Sequence, residues 1–181
     1  MLTTEQQALV KALEELDLTT VQTLLSTGLD VNFIDPDQGF PISIVCDGLF
    51  QWWEGVAEAY ESGQPLSEQE KTDRLSIHLQ LLDALIAAQA NVHLWDSEEF
   101  YGPLWDAASA ACVPAVERLL AESVDPNTRD DENLTILSSI SQLFFECDYD
   151  EIDWSQALPE EKKTLQTLRE HGAKMSKELN T

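Results

Sequence analysis

Basic side chains are scarce in this chain of 181 residues: ten Lys and Arg stand against 34 Asp and Glu, a formal net charge of −24 at pH 7. A grip on a DNA or RNA backbone needs Lys and Arg at the phosphates, so direct nucleic-acid binding is excluded, and anionic membrane surfaces are disfavoured by the same repulsion. Cysteine is limited to Cys46, Cys112 and Cys147, an odd number set in apolar or acidic surroundings. That usage fits three free thiols in a reducing compartment. No apolar run approaches the eighteen or so residues of a membrane-spanning helix, and Met1-Leu2-Thr3-Thr4-Glu5-Gln6-Gln7 carries neither a basic nor an apolar leader segment. The expectation is a cytoplasmic chain with no membrane partner.

Catalytic signatures are also missing. There is no Gly-x-Ser-x-Gly elbow, His-Glu-x-x-His pair, phosphate-cradling Gly-rich loop or Cys-x-x-Cys pair. His78, His93 and His171 have no Cys or His neighbour at ligand spacing and read as structural or solvent-facing. Asp148-Tyr149-Asp150-Glu151-Ile152-Asp153 begins like a calcium loop, but Ile152 stands at the third ligand position and Asp153 where Gly is needed. In Asp125-Pro126-Asn127-Thr128-Arg129 the third ligand position is Arg. The chain therefore reads as a protein with no catalytic residues, metal or cofactor.

Apolar residues make up 43% of the chain, enough to bury a core, and they recur in register. Val21 to Asp35, with Leu24-Leu25, Gly28 and Asp30-Val31-Asn32, has a counterpart in Leu81 to Asp96, with Leu85-Ile86, Gln89 and Asn91-Val92-His93. A third copy runs through Leu119-Leu120, Ser123 and Asp125-Pro126-Asn127, and a degenerate fourth is Leu165 to Ala173 with its stop at Gly172. The four helix-stop positions, Gly28, Gln89, Ser123 and Gly172, are 61, 34 and 49 residues apart. Each copy reads as a short helix, a left-handed stop and an extended finger. Gln89 and Ser123 stand where Gly is favoured, so altered turns are expected there. Helices are predicted at about 5–15 and 19–27, 42–61 and 67–88, 104–111 and 114–121, and 136–146 and 159–171. Pro41, Pro103 and Pro114 fall at or beside helix starts. Ile42, Val45, Leu49, Trp53, Val56 and Tyr60 form one apolar stripe, and Ser67 to Glu70 spells a capping box. Leu24, Leu25, Leu82, Leu119 and Leu120 are the expected core.

The 34-residue spacing resembles that of the ankyrin repeat, with Gly39-Phe40-Pro41-Ile42 and Gly102-Pro103-Leu104-Trp105 similar to the family's Thr-Pro-Leu-His turn, and Thr135-Ile136-Leu137 as a third remnant. The resemblance implies an all-α helical solenoid of about four helix pairs with short extended fingers. It would form one domain over 1–181, with repeats at roughly 1–38, 39–98 (insertion 51–74), 99–132 and 133–181 (insertion 146–158). In that family the fingers and the first helices form a concave surface that binds a protein. The candidate partner-binding residues here are Phe33, Asp35 and Asp37 in the first finger and Trp95, Asp96, Glu98, Glu99, Phe100 and Tyr101 in the second. Asp130, Asp131 and Glu132 follow in the third, and Asp148, Tyr149, Asp150, Glu151, Asp153 and Trp154 in the insertion. Rings supply buried area and carboxylates select a cationic partner. Three stretches, 12–70, 75–117 and 130–161, hold 12, 6 and 10 acids and no Lys or Arg. The chain is similar to small acidic bacterial ankyrin-repeat immunity proteins, which implies a monomeric inhibitor that neutralises a cationic toxin domain, a basic nuclease being one form. The alternatives are a general scaffold or adaptor for a protein or peptide, and a nucleic-acid mimic.

Overall fold

The computed structural model describes residues 1–94, 102–130 and 132–179, with Arg74 described by its backbone alone. Among these residues the chain is all-α, with nine α-helices, one 3-10 turn and no strand beyond two isolated bridges. The helices are α1 (Thr4–Glu14), α2 (Leu18–Ser26), α3 (Pro41–Glu61), α4 (Glu68–Ala87), α5 (Pro103–Ser109), α6 (Val113–Ala121), α7 (Ile136–Phe145), α8 (Pro159–Glu170) and α9 (Ser176–Leu179), each within a residue or two of expectation where one was predicted. None of the described helices is long and apolar enough to cross a membrane. The chain forms two compact units, Met1–Val92 and His93–Thr181, and the division falls just after the second helix stop.

In the first unit, local chemistry sets each helix boundary. Thr3 and Gln6 exchange a capping box at α1, and Ser67 with Glu70 does the same at α4. The α1 helix ends on a left-handed Leu16, whose turn lets the Asp17 amide bond Ala12 O at 2.8 Å. Asp17 then caps α2 by accepting from the Thr20 amide at 3.0 Å. Pro41 opens α3, where a missing N–H does no harm. The α3 stripe is buried from Ile42 to Val56, with Tyr60 half-buried. Ile44, Cys46 and Trp52 are buried as well, because α3 packs against α1 on one side and α4 on the other. Lys71 was not foreseen in the core: it is 6% exposed, reaches the Tyr60 hydroxyl at 3.1 Å and Glu68 at 2.9 Å, and lies over the Tyr60 ring. Burying its charge is tolerable because that charge is paired and hydrogen-bonded.

The second unit repeats these devices. Ala111 is left-handed and the Cys112 amide reaches back to Ala107 O, the same turn as at Leu16 and Asp17. Pro103 and Pro159 open α5 and α8. The stop positions agree across all four copies: Gly28, Gln89, Ser123 and Gly172 have φ of 78°, 64°, 64° and 88°. The expectation of altered turns at Gln89 and Ser123 is thus corrected. The turn survives without Gly because the following amides are held: the Gln89 and Ala90 N–H groups bond Ile86 O and Leu85 O, and that of Ser123 bonds Leu120 O.

Four residues after the stop, Asn32 and Asn127 act alike. The Asn32 side chain donates to Gln89 O at 3.0 Å and accepts from the Asn91 amide at 2.7 Å. That of Asn127 donates to Gly172 O at 3.2 Å and accepts from the Lys174 amide at 2.8 Å. Each Asn joins its own finger to the stop of the next copy. The expected core is corrected at three positions. Leu82 and Leu119 are fully buried, but Leu24, Leu25 and Leu120 are half-buried. Leu24 corresponds to the fully buried Leu85, Leu119 and Leu168 yet stays half-buried on α2. The second residue of each pair, Leu25, Ile86 or Leu120, turns partly outward.

Candidate functional site

The fingers are built by the same carboxylates that were expected to select a partner. Asp35 lies seven residues past the stop at Gly28, and its Oδ1 accepts the amides of Asp37 and Gln38 at 2.9 and 3.0 Å, while its backbone pairs with Gly39. Asp130 lies seven past Ser123, and its Oδ1 accepts the Leu134 amide at 2.8 Å. Both therefore close a fingertip, as short carboxylates in turns do. Asp37 and Glu132 are left as exposed acids at the tips, with Phe33 half-buried and Ile34 58% exposed beside the first. Trp95, Asp96, Glu98, Glu99, Phe100 and Tyr101 of the second finger, and Asp131 of the third, lie outside the described residues.

The 146–158 insertion is held against its own unit. The Tyr149 and Trp154 rings meet edge to face at 5.3 Å, and Trp154 also meets Phe145 at 6.2 Å. Lys162 lies over Trp154 at 5.9 Å and Arg169 over Tyr149 at 5.7 Å. Lys177 pairs with Asp148 at 3.0 Å and Asp150 at 3.4 Å. Asp153 Oδ1 accepts from Ser155, while Glu151 and Asp153 are exposed. Burial holds the Tyr149 hydroxyl above the usual tyrosine range. Arg169 further grips Glu178 with both amino groups, and this holds the carboxyl down at about 2. Five of the ten basic residues follow Glu161, and α8 and α9 bring three of them back onto this loop. Of the insertion's five acids, Asp148 and Asp150 are thereby paired with a cation of the same unit, and Glu151 and Asp153 stay exposed.

The first unit has fewer cations, although its formal net charge of −12 equals that of the second, which carries 19 acids against seven bases. The first carries 15 Asp and Glu against Lys11, Lys71 and Arg74. Lys71 is buried and Lys11 pairs with Glu15 at 3.7 Å. Along α3, Asp47, Gln51, Glu54, Glu58 and Glu61 recur at three and four residues and are all exposed, with Phe50 42% exposed among them. Sequence reasoning overlooked this stripe because it read α3 for its buried face, although the same spacing marks the opposite one. Partial desolvation of its carboxylate raises Asp47 above its usual value, although the residue as a whole is exposed.

The thiols offer little chemistry. Cys46 and Cys112 are buried, and loss of hydration pushes Cys112 up to about 12, so it stays a protonated, unreactive thiol. No group of three or more His, Cys, Asp or Glu among the described residues is placed to hold a metal ion. The arrangement is that of an all-α protein of helix pairs with acidic surfaces. Set against known proteins, the chain matches no family model and no curated sequence.

Proposed function

We propose that this protein is a stoichiometric protein-binding inhibitor built from ankyrin-type repeats, and that its partner is a cationic toxin domain. The observation that carries the reading is the excess of acid in both units, 15 carboxylates against three basic residues in the first and 19 against seven in the second. Such one-sign surfaces cost stability through self-repulsion and accelerate capture of an oppositely charged partner. The ankyrin part is supported by the four left-handed stops, the two finger-closing Asp residues and the two Asn bridges at equivalent positions. The toxin part rests on likeness to acidic ankyrin immunity proteins, an analogy at the level of the family. A nuclease is the sharpest form, because a toxin that grips nucleic acid is itself basic.

The test is to recover the partner with the intact protein and measure binding kinetics at two salt concentrations. Glu98→Lys with Glu99→Lys is expected to slow association and flatten its salt dependence, and Trp95→Ala to speed dissociation at least tenfold. Lys at Glu5, distant in sequence from every finger, is expected to change either rate less than twofold. Finger variants that bind like the parent would overturn the proposed surface, and a partner lacking basic character would overturn the inhibitor reading.

A further inference from the structure

We infer that a groove beside α3 in the first unit is a receptor for one arginine side chain of a protein partner. The inference rests on the cationic-partner reading above and assigns a contact point to it. The first lobe of the groove, about 290 Å³, is lined by Glu14, Leu16, Ile44, Asp47 and Gln51 among others. It continues past Gly48 and His78 into a second lobe of about 230 Å³ that reaches Trp52 and Gly55.

The groove follows from unequal helix lengths and from two glycines. The α1 helix stops at Glu14 and turns at Leu16, whereas α3 runs on to Glu61. Gly48 lets the His78 ring close on the backbone, since a Cβ there would come 2.9 Å from His78 Cδ2, whereas a Cβ on Gly55 would meet nothing within 4 Å. The two lobes share Leu16, Gly48, Gln51 and His78, and as one elongated groove they suit a long, narrow occupant.

The two lobes differ in chemistry as the two ends of an arginine do. Glu14 and Asp47 flank the first, and no ion pair or hydrogen bond of the described residues engages either carboxylate. Glu14 is also the last residue of α1, where the helix dipole adds negative potential. Asp47 is partly desolvated and forms no ion pair among the described residues, and a guanidinium would relieve that cost. The second lobe is walled by Leu16 and Trp52 and would cover the aliphatic stem. Arginine is favoured over lysine because its planar fork satisfies two carboxylates at once.

The probe is the tripeptide acetyl-Gly-Arg-Gly-amide, titrated at physiological salt into the full isotope-labelled chain and followed by amide chemical shifts. Saturable shifts centred on Gly48, Gln51 and Gly55 are expected, with at least tenfold weaker binding of the Lys analogue. Asp47→Asn is expected to weaken binding at least tenfold, and Glu117→Gln with Glu122→Gln on α6 less than twofold. Gly55→Leu fills the second lobe without changing charge and, having open space at its Cβ, is expected to fold and to lose binding. If Asp47→Asn and the α6 pair lower affinity equally, or Gly55→Leu binds like the parent, the groove is overturned and only a diffuse acidic field remains. That failure leaves the cationic-partner reading standing, because the partner's own kinetics with the finger variants test it separately.

Discussion

At the scale of single residues, the repeated turns show how much backbone strain neighbouring bonds can hold. Gln89 and Ser123 occupy a left-handed conformation that costs a residue with a Cβ roughly 1–2 kcal/mol. Gln89→Gly should therefore raise stability by up to about 1 kcal/mol, part of the relief being lost to the freer unfolded chain, and a denaturant titration reads the change. Asn127→Ala removes both bonds to the next stop, to Gly172 O and from the Lys174 amide, and is expected to cost about 1–2 kcal/mol. Glu178 gives a pH-dependent test of the same unit. Its carboxyl is held at about 2 by Arg169, below an ordinary 4.5, so the stabilisation is complete above pH 4.5 and is lost as pH falls toward 2. Glu178→Gln is expected to melt below the parent at pH 7, with the gap closing across that window. A gap that persists at pH 2 would assign Glu178 a role other than its charge.

At the scale of elements, burial decides which of the regular features matter. Leu119 is fully buried on α6, which packs on α5 and α8, and Leu119→Ala is expected to cost about 2–5 kcal/mol by cavity formation. Leu24→Ala, at the equivalent but half-buried position of α2, should cost less than half as much, and comparing the two measures the worth of full burial at this position. The α3 and α4 pair departs most from the others in length, at 21 and 20 residues against 7 to 12 for the short pairs. Its extra turns are what the sequence pattern marked as the 51–74 insertion. As the predicted helices at 42–61 and 67–88 require, they form a continued helical hairpin, locked by Lys71 between Tyr60 and Glu68 and by the Trp52 indole donating to Lys71 O at 3.4 Å. The 146–158 insertion takes the other course and folds onto α8 through Tyr149 and Trp154.

At the scale of the whole molecule, charge is the governing quantity. With 34 acids against ten bases, mutual repulsion among carboxylates opposes the compact state. Melting temperature is accordingly expected to rise as NaCl increases from about 0.01 M to 0.15 M, where the Debye length shortens from about 30 to 8 Å. A falling melting temperature would mean that local pairs such as Lys177 with Asp148 outweigh the global field. The effect should be larger in a variant that loses Lys11, since the first unit has few other cations.

The periodic features of this protein were legible in its amino acids because they rest on short-range rules. Pro41 and Pro103 at helix starts, the Ser67 capping box, the α3 stripe and the four aligned stops depend on residues a few positions apart, and so the all-α class and nearly every helix boundary follow from pattern. Even so, the pattern misjudged Gln89 and Ser123, because intrinsic preference for Gly ignores the backbone hydrogen bonds that close the turn. The surface chemistry was legible only in part. Acid counts located the charged runs, but whether a carboxylate is spare depends on which distant cation folds onto it. Lys177 lies 29 residues from Asp148 and pairs with it, while Asp47 and Glu14 receive no such partner among the described residues. The same holds for Asp35 and Asp130, whose oxygens are turned to the fingertip amides, and for the groove beside α3, which exists because α1 ends where α3 continues. Spacing along a chain encodes its helices, whereas the pairing and exposure of its charges are properties of the packed elements in three dimensions.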